Sequence, residues 1–281
     1  MRRSRLPALA LAGALALPAA AAPDLDALWD FARPGVSEQR FRDAAAAARG
    51  DDAGVLRTQL ARALGLQGRF DEALRELDAV DAALAGAGDE LRVRALLERG
   101  RVLRSSGREA AAEPLFRQAF ERADRARLEF LAADALHMVA LVQPTPEAQI
   151  ETNRRVLAYA RNAADARARS WEAVALHNLG VVLNGLGRHD EALAVLRDAQ
   201  AAYQRLGRAG NVRIARWMVA HTLRRLGRLD EALAMQRELE AEGSAAGAPD
   251  PYVFEELAEI HAARGDVDRA AHYRALASRA R

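Results

Sequence analysis

The sequence predicts an all-α chain of paired helices stacked in one direction. Three observations carry that prediction. The first is composition: 51% of the 281 residues are hydrophobic but only 5% are aromatic. The core must then be built from Ala, Leu and Val, and Ala and Leu are strong helix formers whereas β-branched residues are sparse. The second is a glycine followed by an acidic helix start and a buried-type alanine, which recurs with a period of 38–40 residues. The third is a small residue at one fixed place in each helix of the unit, as close helix crossing requires.

The chain opens with the pattern of a secretory signal. Met1 to Arg5 is basic, residues 6–17 are apolar and Ala19 to Ala22 is small. An A-x-A cut after Ala21 makes residues 1–21 a signal peptide and places the protein in the periplasm; the alternative is an uncleaved anchor, for which the apolar run is short. All 41 basic residues are arginine, against 39 acidic ones. Losing Arg2, Arg3 and Arg5 leaves 38 against 39, so no bulk charge draws the exported chain to nucleic acid or acidic membranes. The absence of cysteine excludes disulfides, thiol nucleophiles, cysteine metal sites and a lipidated cysteine.

Residues 22–53 read as N-terminal capping helices. Asp24 caps a short helix over Leu25, Leu28 and Trp29, which Arg33-Pro34-Gly35 breaks. Ser37 caps a second helix to about Arg49, and Trp29, Phe31 and Phe41 cover the open end of the stack. Residues 54–281 then repeat. The glycines are Gly68, Gly107, Gly187, Gly227 and Gly265, spaced 39, 80, 40 and 38 apart. The interval of 80 hides a copy at Asp134 to Val142, whose turn is Gln143-Pro144-Thr145-Pro146. In each unit helix A ends on a glycine free to turn left-handed. Asp71, Asp190 or Asp230 then caps helix B. The small residues are Ala61, Gly100, Ala140, Gly180, Ala220 and Ala258 on helices A, with Ala73, Ala112, Ala192, Ala232 and Ala270 on helices B.

The run Asn178-Leu179-Gly180, Leu183, Gly187, Asp190-Glu191-Ala192-Leu193, Leu196 and Ala199 resembles the tetratricopeptide repeat in order and spacing. The resemblance covers about Gly54 to Ala277 and implies a right-handed α-solenoid of about six helix pairs with an N-terminal helical cap. Its period exceeds the commonest 34 residues of that family, and its third copy is degenerate. The family resemblance further implies a concave face lined by helices A, where such arrays hold peptides or partner helices.

On that face three rows are expected to meet a ligand. One contains His137, His177 and Trp217, the next Asn178, and the third Arg62, Arg101, His221 and Glu259, with Glu255 closing the first row. The early end is rich in arginine and the late end in glutamate, which predicts a groove with an electrostatic direction. Part of a carboxylate-gripping cluster found in some family members is matched by Arg62, Arg101 and Asn178, but Ile214 and Met218 stand where its other cations would be, so that clamp is not expected. His137, His177 and His221 lack a further ligand at metal spacing, so no metal and no cofactor are expected. No nucleophile elbow, phosphate loop or zinc helix is present. The sequence therefore predicts a non-catalytic exported scaffold that binds an unknown protein or peptide, with no nucleic acid and no stable membrane span after signal removal. The alternative is a small-molecule carrier or sensor using the His137, His177 and Trp217 strip.

Overall fold

The computed structural model describes residues 23–281; the signal-like stretch, its cut and the expected export lie outside the described residues. Every described element is a helix. A cap of α1 (Leu25–Leu28) and α2 (Pro34–Ala47) precedes six helix pairs. They are α3 (Gly50–Leu66) with α4 (Phe70–Asp81), α5 (Asp89–Ser105) with α6 (Glu109–Arg125), and α7 (Glu129–Leu141) with α8 (Pro146–Asn162). After the short α9 (Ala166–Arg169) come α10 (Trp171–Gly185) with α11 (His189–Arg205), α12 (Ala209–Arg225) with α13 (Leu229–Ala245), and α14 (Pro251–Ala263) with α15 (Val267–Arg279). Successive helices pack on one another from α2 to α8 and from α10 to α15, with α8 also packed on α10, so the core runs the length of a helical solenoid.

The close crossing inside each pair is the feature the sequence marked best. All eleven small residues are buried: Ala140, Ala258 and Ala270 are 1% exposed and the other alanines 0%. The two glycines among them sit against a larger partner on helix B. A Cβ on Gly100 would lie 2.4 Å from Phe116 Cε1, and one on Gly180 would lie 2.4 Å from Leu196 Cγ. Phe116 and Leu196 are both fully buried, so neither ring nor isobutyl group has room to yield.

The turns follow the expected glycine logic but not the expected caps. Gly68, Gly107, Gly187, Gly227 and Gly265 all have φ between 74° and 80°. Helix B begins one residue before the expected Asp, so Asp71, Asp190 and Asp230 lie inside the first turn and cap nothing. The residue at the N-cap is instead Arg69, Arg188 or Arg228, and its guanidinium is gripped by Glu72, Glu191 or Glu231 at 2.7 Å. The acid therefore orders the arginine of the turn while still placing negative charge at the positive helix end. Asp24 does cap α1 as expected, accepting from the Ala27 N–H, and among the B helices the last is capped by Asp266, which accepts from the Arg269 N–H. Ser37 is likewise no cap: Pro34 starts α2, where a missing N–H costs nothing, and Ser37 is buried and exchanges hydrogen bonds with the Asp30 backbone. Thr145 does cap α8, through the Ala148 N–H.

Two stability predictions follow from these packings. Gly180→Ala should cost about 1–3 kcal/mol in urea unfolding, and that cost should vanish in a Leu196→Ala background. Gln236 holds the place occupied by Leu77, Phe116 and Leu196, sixteen residues after the small residue of its helix A, yet it is fully buried with neither amide atom hydrogen-bonded. Gln236→Leu should raise stability by about 1 kcal/mol or more in the same assay, because it removes a buried, unmatched amide.

Candidate functional site

Helices α3, α5 and α7 turn one face toward a shared chamber of about 470 Å³. Its floor carries Arg94, Glu98 and Asp134, and its inner wall Val55, Gln59, Arg62 and Leu97. The chain closes it from both sides. The segment Pro23 to Phe31 lies along one edge, and Arg167 of α9 with Phe130 and Trp171 along the other. Asp26 and Arg167 approach to 3.7 Å and so tie α1 to α9. The cap thus does more than cover the end of the stack. Trp29 stacks on Phe31 at 4.5 Å and meets Phe41 edge-on at 4.9 Å, while its indole N–H donates to Gln59 Oε1 at 3.2 Å.

The floor is a buried ion network. Arg101 donates to Glu98 Oε1 at 2.6 Å and to Asp134 Oδ1 at 2.5 Å. Burial pushes the Arg101 guanidinium toward losing its proton, but Asp134 and Glu98 outweigh burial and its pKa ends above the ordinary value. Burial likewise raises the Asp134 carboxyl, and Arg101 and Arg62 overcome it and hold it low. Arg62 is less well matched. Burial and then Arg101 lower its pKa, and its contact with Glu98 is 3.9 Å. It lies over the Trp29 and Phe31 rings at 5.5 and 5.6 Å.

The other expected residues do not converge on this chamber. His137 packs on Trp171 at 4.9 Å and accepts from the Asn178 side-chain N–H at 3.3 Å through Nδ1, which leaves the ring proton on Nε2. Burial pushes its pKa down from 6.5 to about 4. His177 is half-buried beside Tyr203, its Nδ1 enclosed without a partner, and burial lowers its pKa also. Trp217 stacks on His221 at 5.4 Å and donates to the Tyr252 carbonyl at 3.0 Å. It borders a second cavity, of about 440 Å³, lined by Ile214, Leu239, Tyr252 and Val253 with Arg213 and Asp250 at its rim. The three rings of the strip therefore make three separate local contacts. Among the described residues no cluster of metal-binding side chains occurs.

Many of the charges behind the expected electrostatic direction are paired within the scaffold. Arg101 is committed to Glu98 and Asp134, and Arg94 to Glu90 at 2.8 Å. At the late end Glu256 is held by Arg224 at 2.6 Å and by His221 at 3.0 Å; these hydrogen bonds overcome its burial and keep its pKa low. Glu255 pairs with Arg281, and Glu259 with Arg274 at 3.8 Å, which turns both acids toward the closing helix. Sequence spacing placed these residues in helices, but it did not reveal the partners that the next repeat brings up 32 to 35 residues on, Asp134 for Arg101 and Glu256 for His221 and Arg224.

The His137 environment sets a pH dependence. The unfolded chain takes up the His137 proton near pH 6.5 and the folded chain only near pH 4. Stability from this group is complete above 6.5 and falls as pH drops toward 4. Wild type should therefore lose more thermal stability than His137→Gln between neutral pH and about 4, and parallel midpoint curves would remove the assignment.

Comparison with known proteins agrees with this architecture. The tetratricopeptide repeat family matches residues 171–241 and 54–79. No curated protein matches the chain. Among solved structures, a signal-transduction ATPase of the STAND class with a tetratricopeptide repeat sensor, from Pyrococcus horikoshii, is similar with TM-score 0.69 and 13% identity over 87% of this chain. The present chain spans 38% of the length of that protein. A Rap protein in complex with Competence and Sporulation Factor is similar with TM-score 0.60 and 16% identity, over 87% of this chain and 69% of that one. PilW, a type IV pilus biogenesis factor, is similar with TM-score 0.59 and 19% identity, over 79% of this chain and 91% of that one. The glycine turns and the six helix pairs agree with these matches, which identify tetratricopeptide repeats at residues 54–79 and 171–241 of a helical solenoid.

Proposed function

We propose that the protein is a non-catalytic, exported scaffold that binds a protein or peptide along the inner face of its A helices. The observation that carries this reading is the pair of separate cavities on equivalent positions of those helices. The charged chamber takes in Val55, Arg94 and Asp134, and the apolar one takes in Ile214 and Tyr252, which hold the same place in later repeats. The helix α10 lies between them and leaves Val181 43% exposed, while Ile214 and Tyr252 are 54% and 63% exposed. Apolar side chains held in water along one face are a docking signature. A long ligand with alternating side chains suits two cavities of this size better than a single small molecule does. The Rap complex and PilW supply an analogy for protein and peptide partners on this fold.

The small-molecule reading needed the His137, His177 and Trp217 rings to enclose one ligand, and their separate packing favours the polypeptide reading. Export to the periplasm rests on the basic, apolar and small segments of residues 1–22.

Photo-crosslinking tests the face directly. A crosslinking amino acid at Val181 or Ile214 should capture a discrete partner in the cell envelope, while one at Arg197 or Arg237 on the B helices should not. Capture from the B helices alone would sink the proposal.

A further inference from the structure

We propose that the chamber between α1, α3, α5 and α7 receives a cationic side chain, the guanidinium of an arginine or the ammonium of a lysine, from the bound polypeptide. The inference deepens the polypeptide-binding reading and rests on it. Its first support is Glu98. The residue is 2% exposed and lines the chamber, and while Oε1 takes the Arg101 hydrogen bond, Oε2 is sealed from solvent with no donor. A buried carboxylate oxygen without a donor is costly, and an N–H brought in by a ligand offsets that cost.

Charge supplies the second support. The lining holds six carboxylates against three guanidiniums, and Arg101 beneath the floor adds a fourth, so acids remain in excess. Two of those guanidiniums are already paired, Arg94 with Glu90 and Arg167 with Asp26. Asp52 lies on the rim and makes no ion pair or side-chain hydrogen bond among the described residues.

The aromatic walls supply the third. Arg62 rides over Trp29 and Phe31, and Arg167 sits 4.2 Å from the centre of the Phe130 ring. The chamber therefore already holds guanidiniums on flat aromatic faces, using two of the chain's own. Arg62 is the weakly held one, 3.9 Å from Glu98 with no closer acid oxygen, and it is the group a ligand cation displaces.

The test uses N-acetyl-L-arginine amide, whose only charge is its guanidinium, and the neutral isostere N-acetyl-citrulline amide. Binding is read by NMR at the indole N–H signals of Trp29 and Trp171, which both line the chamber, with Trp217 as the remote control. The arginine probe should shift both signals with a dissociation constant on the order of millimolar, and the citrulline probe should not. Glu98→Gln should weaken binding about tenfold, and Asp52→Asn, a rim change without a packing role, should weaken it severalfold if Glu98→Gln fails to fold. Arg62→Leu should tighten it severalfold, because the internal competitor is gone. Equal binding of the two probes, no shift at either indole, or weaker binding in Arg62→Leu would each overturn the proposal. The two readings fail separately. Crosslinking along the A helices without arginine binding rejects the cation site alone. Arginine binding with crosslinks only from the B helices rejects the polypeptide-binding reading and leaves a pocket for a free cation.

Discussion

Everything in this molecule depends on how closely helix A can cross helix B. Where the crossing residue is glycine, the facing position is filled by Phe116 or Leu196, and a single methyl group has no space. Where it is alanine, Leu77 in the first pair fills the same role, packed in one cluster with Ala61. The small residue and its large partner fix the spacing of the two helices, and each pair then presents a standard edge to the next. Because each repeat touches little beyond its neighbours, this local spacing, multiplied six times, determines the face that the A helices share. Some of the few aromatic residues, such as Phe116 and Phe254, belong to this repeating core. Trp29, Phe31, Phe130 and Trp171 gather where the regular stacking is interrupted by the cap and by α9.

Those interruptions mark the limit of what the sequence made legible. The repeat was readable because its requirements are local: a glycine at φ near 75°, a small residue at the crossing, an acidic first turn. The Arg–Glu clasp of the turns was also written in the sequence, as Gly-Arg-x-Asp-Glu. It was obscured because an aspartate near a helix start resembles a cap, and the helix starts one residue earlier than that reading allows. The folding of α1 over the A-helix face was not readable. It depends on contacts between residues far apart in sequence, Trp29 with Gln59 and Asp26 with Arg167. Nor was α9 readable, a single turn whose Ala168 is buried against Ala133 and Ala163.

The site residues show the same division between local and remote information. Each of them lies in a helix, as the 38–40 residue period expects. Their chemical state was not, since it is set by the next repeat. Arg101 looked like a free cation until Asp134 came within 2.5 Å, and His137 looked like a surface ring until Trp171 and Asn178 covered it. A buried ion network of this kind contributes little net stability, because desolvation offsets most of the attraction. What it does is hold carboxylates and guanidiniums in fixed positions inside a chamber that water-exposed side chains could not organise. The oxygen of Glu98 left without a donor belongs to that fixed arrangement, in which the two Arg101 hydrogen bonds go to Glu98 Oε1 and Asp134 Oδ1.

The rigidity of the stack also turns two cavities into a ruler. From α5, on the charged chamber, to α12, on the apolar one, the A helices advance by three repeats. Adjacent packed helices lie about 10 Å apart, so the two cavities are separated by roughly 30 Å along the face. An extended polypeptide covers about 3.3 Å per residue, so roughly nine residues bridge them. A partner that places a cation in one cavity and an apolar side chain in the other gains from both contacts at once only if its spacing matches, and the scaffold cannot bend cheaply to accommodate another. Selectivity then resides in the distance between two modest sites, which is fixed by the same glycine and alanine crossings that build the fold.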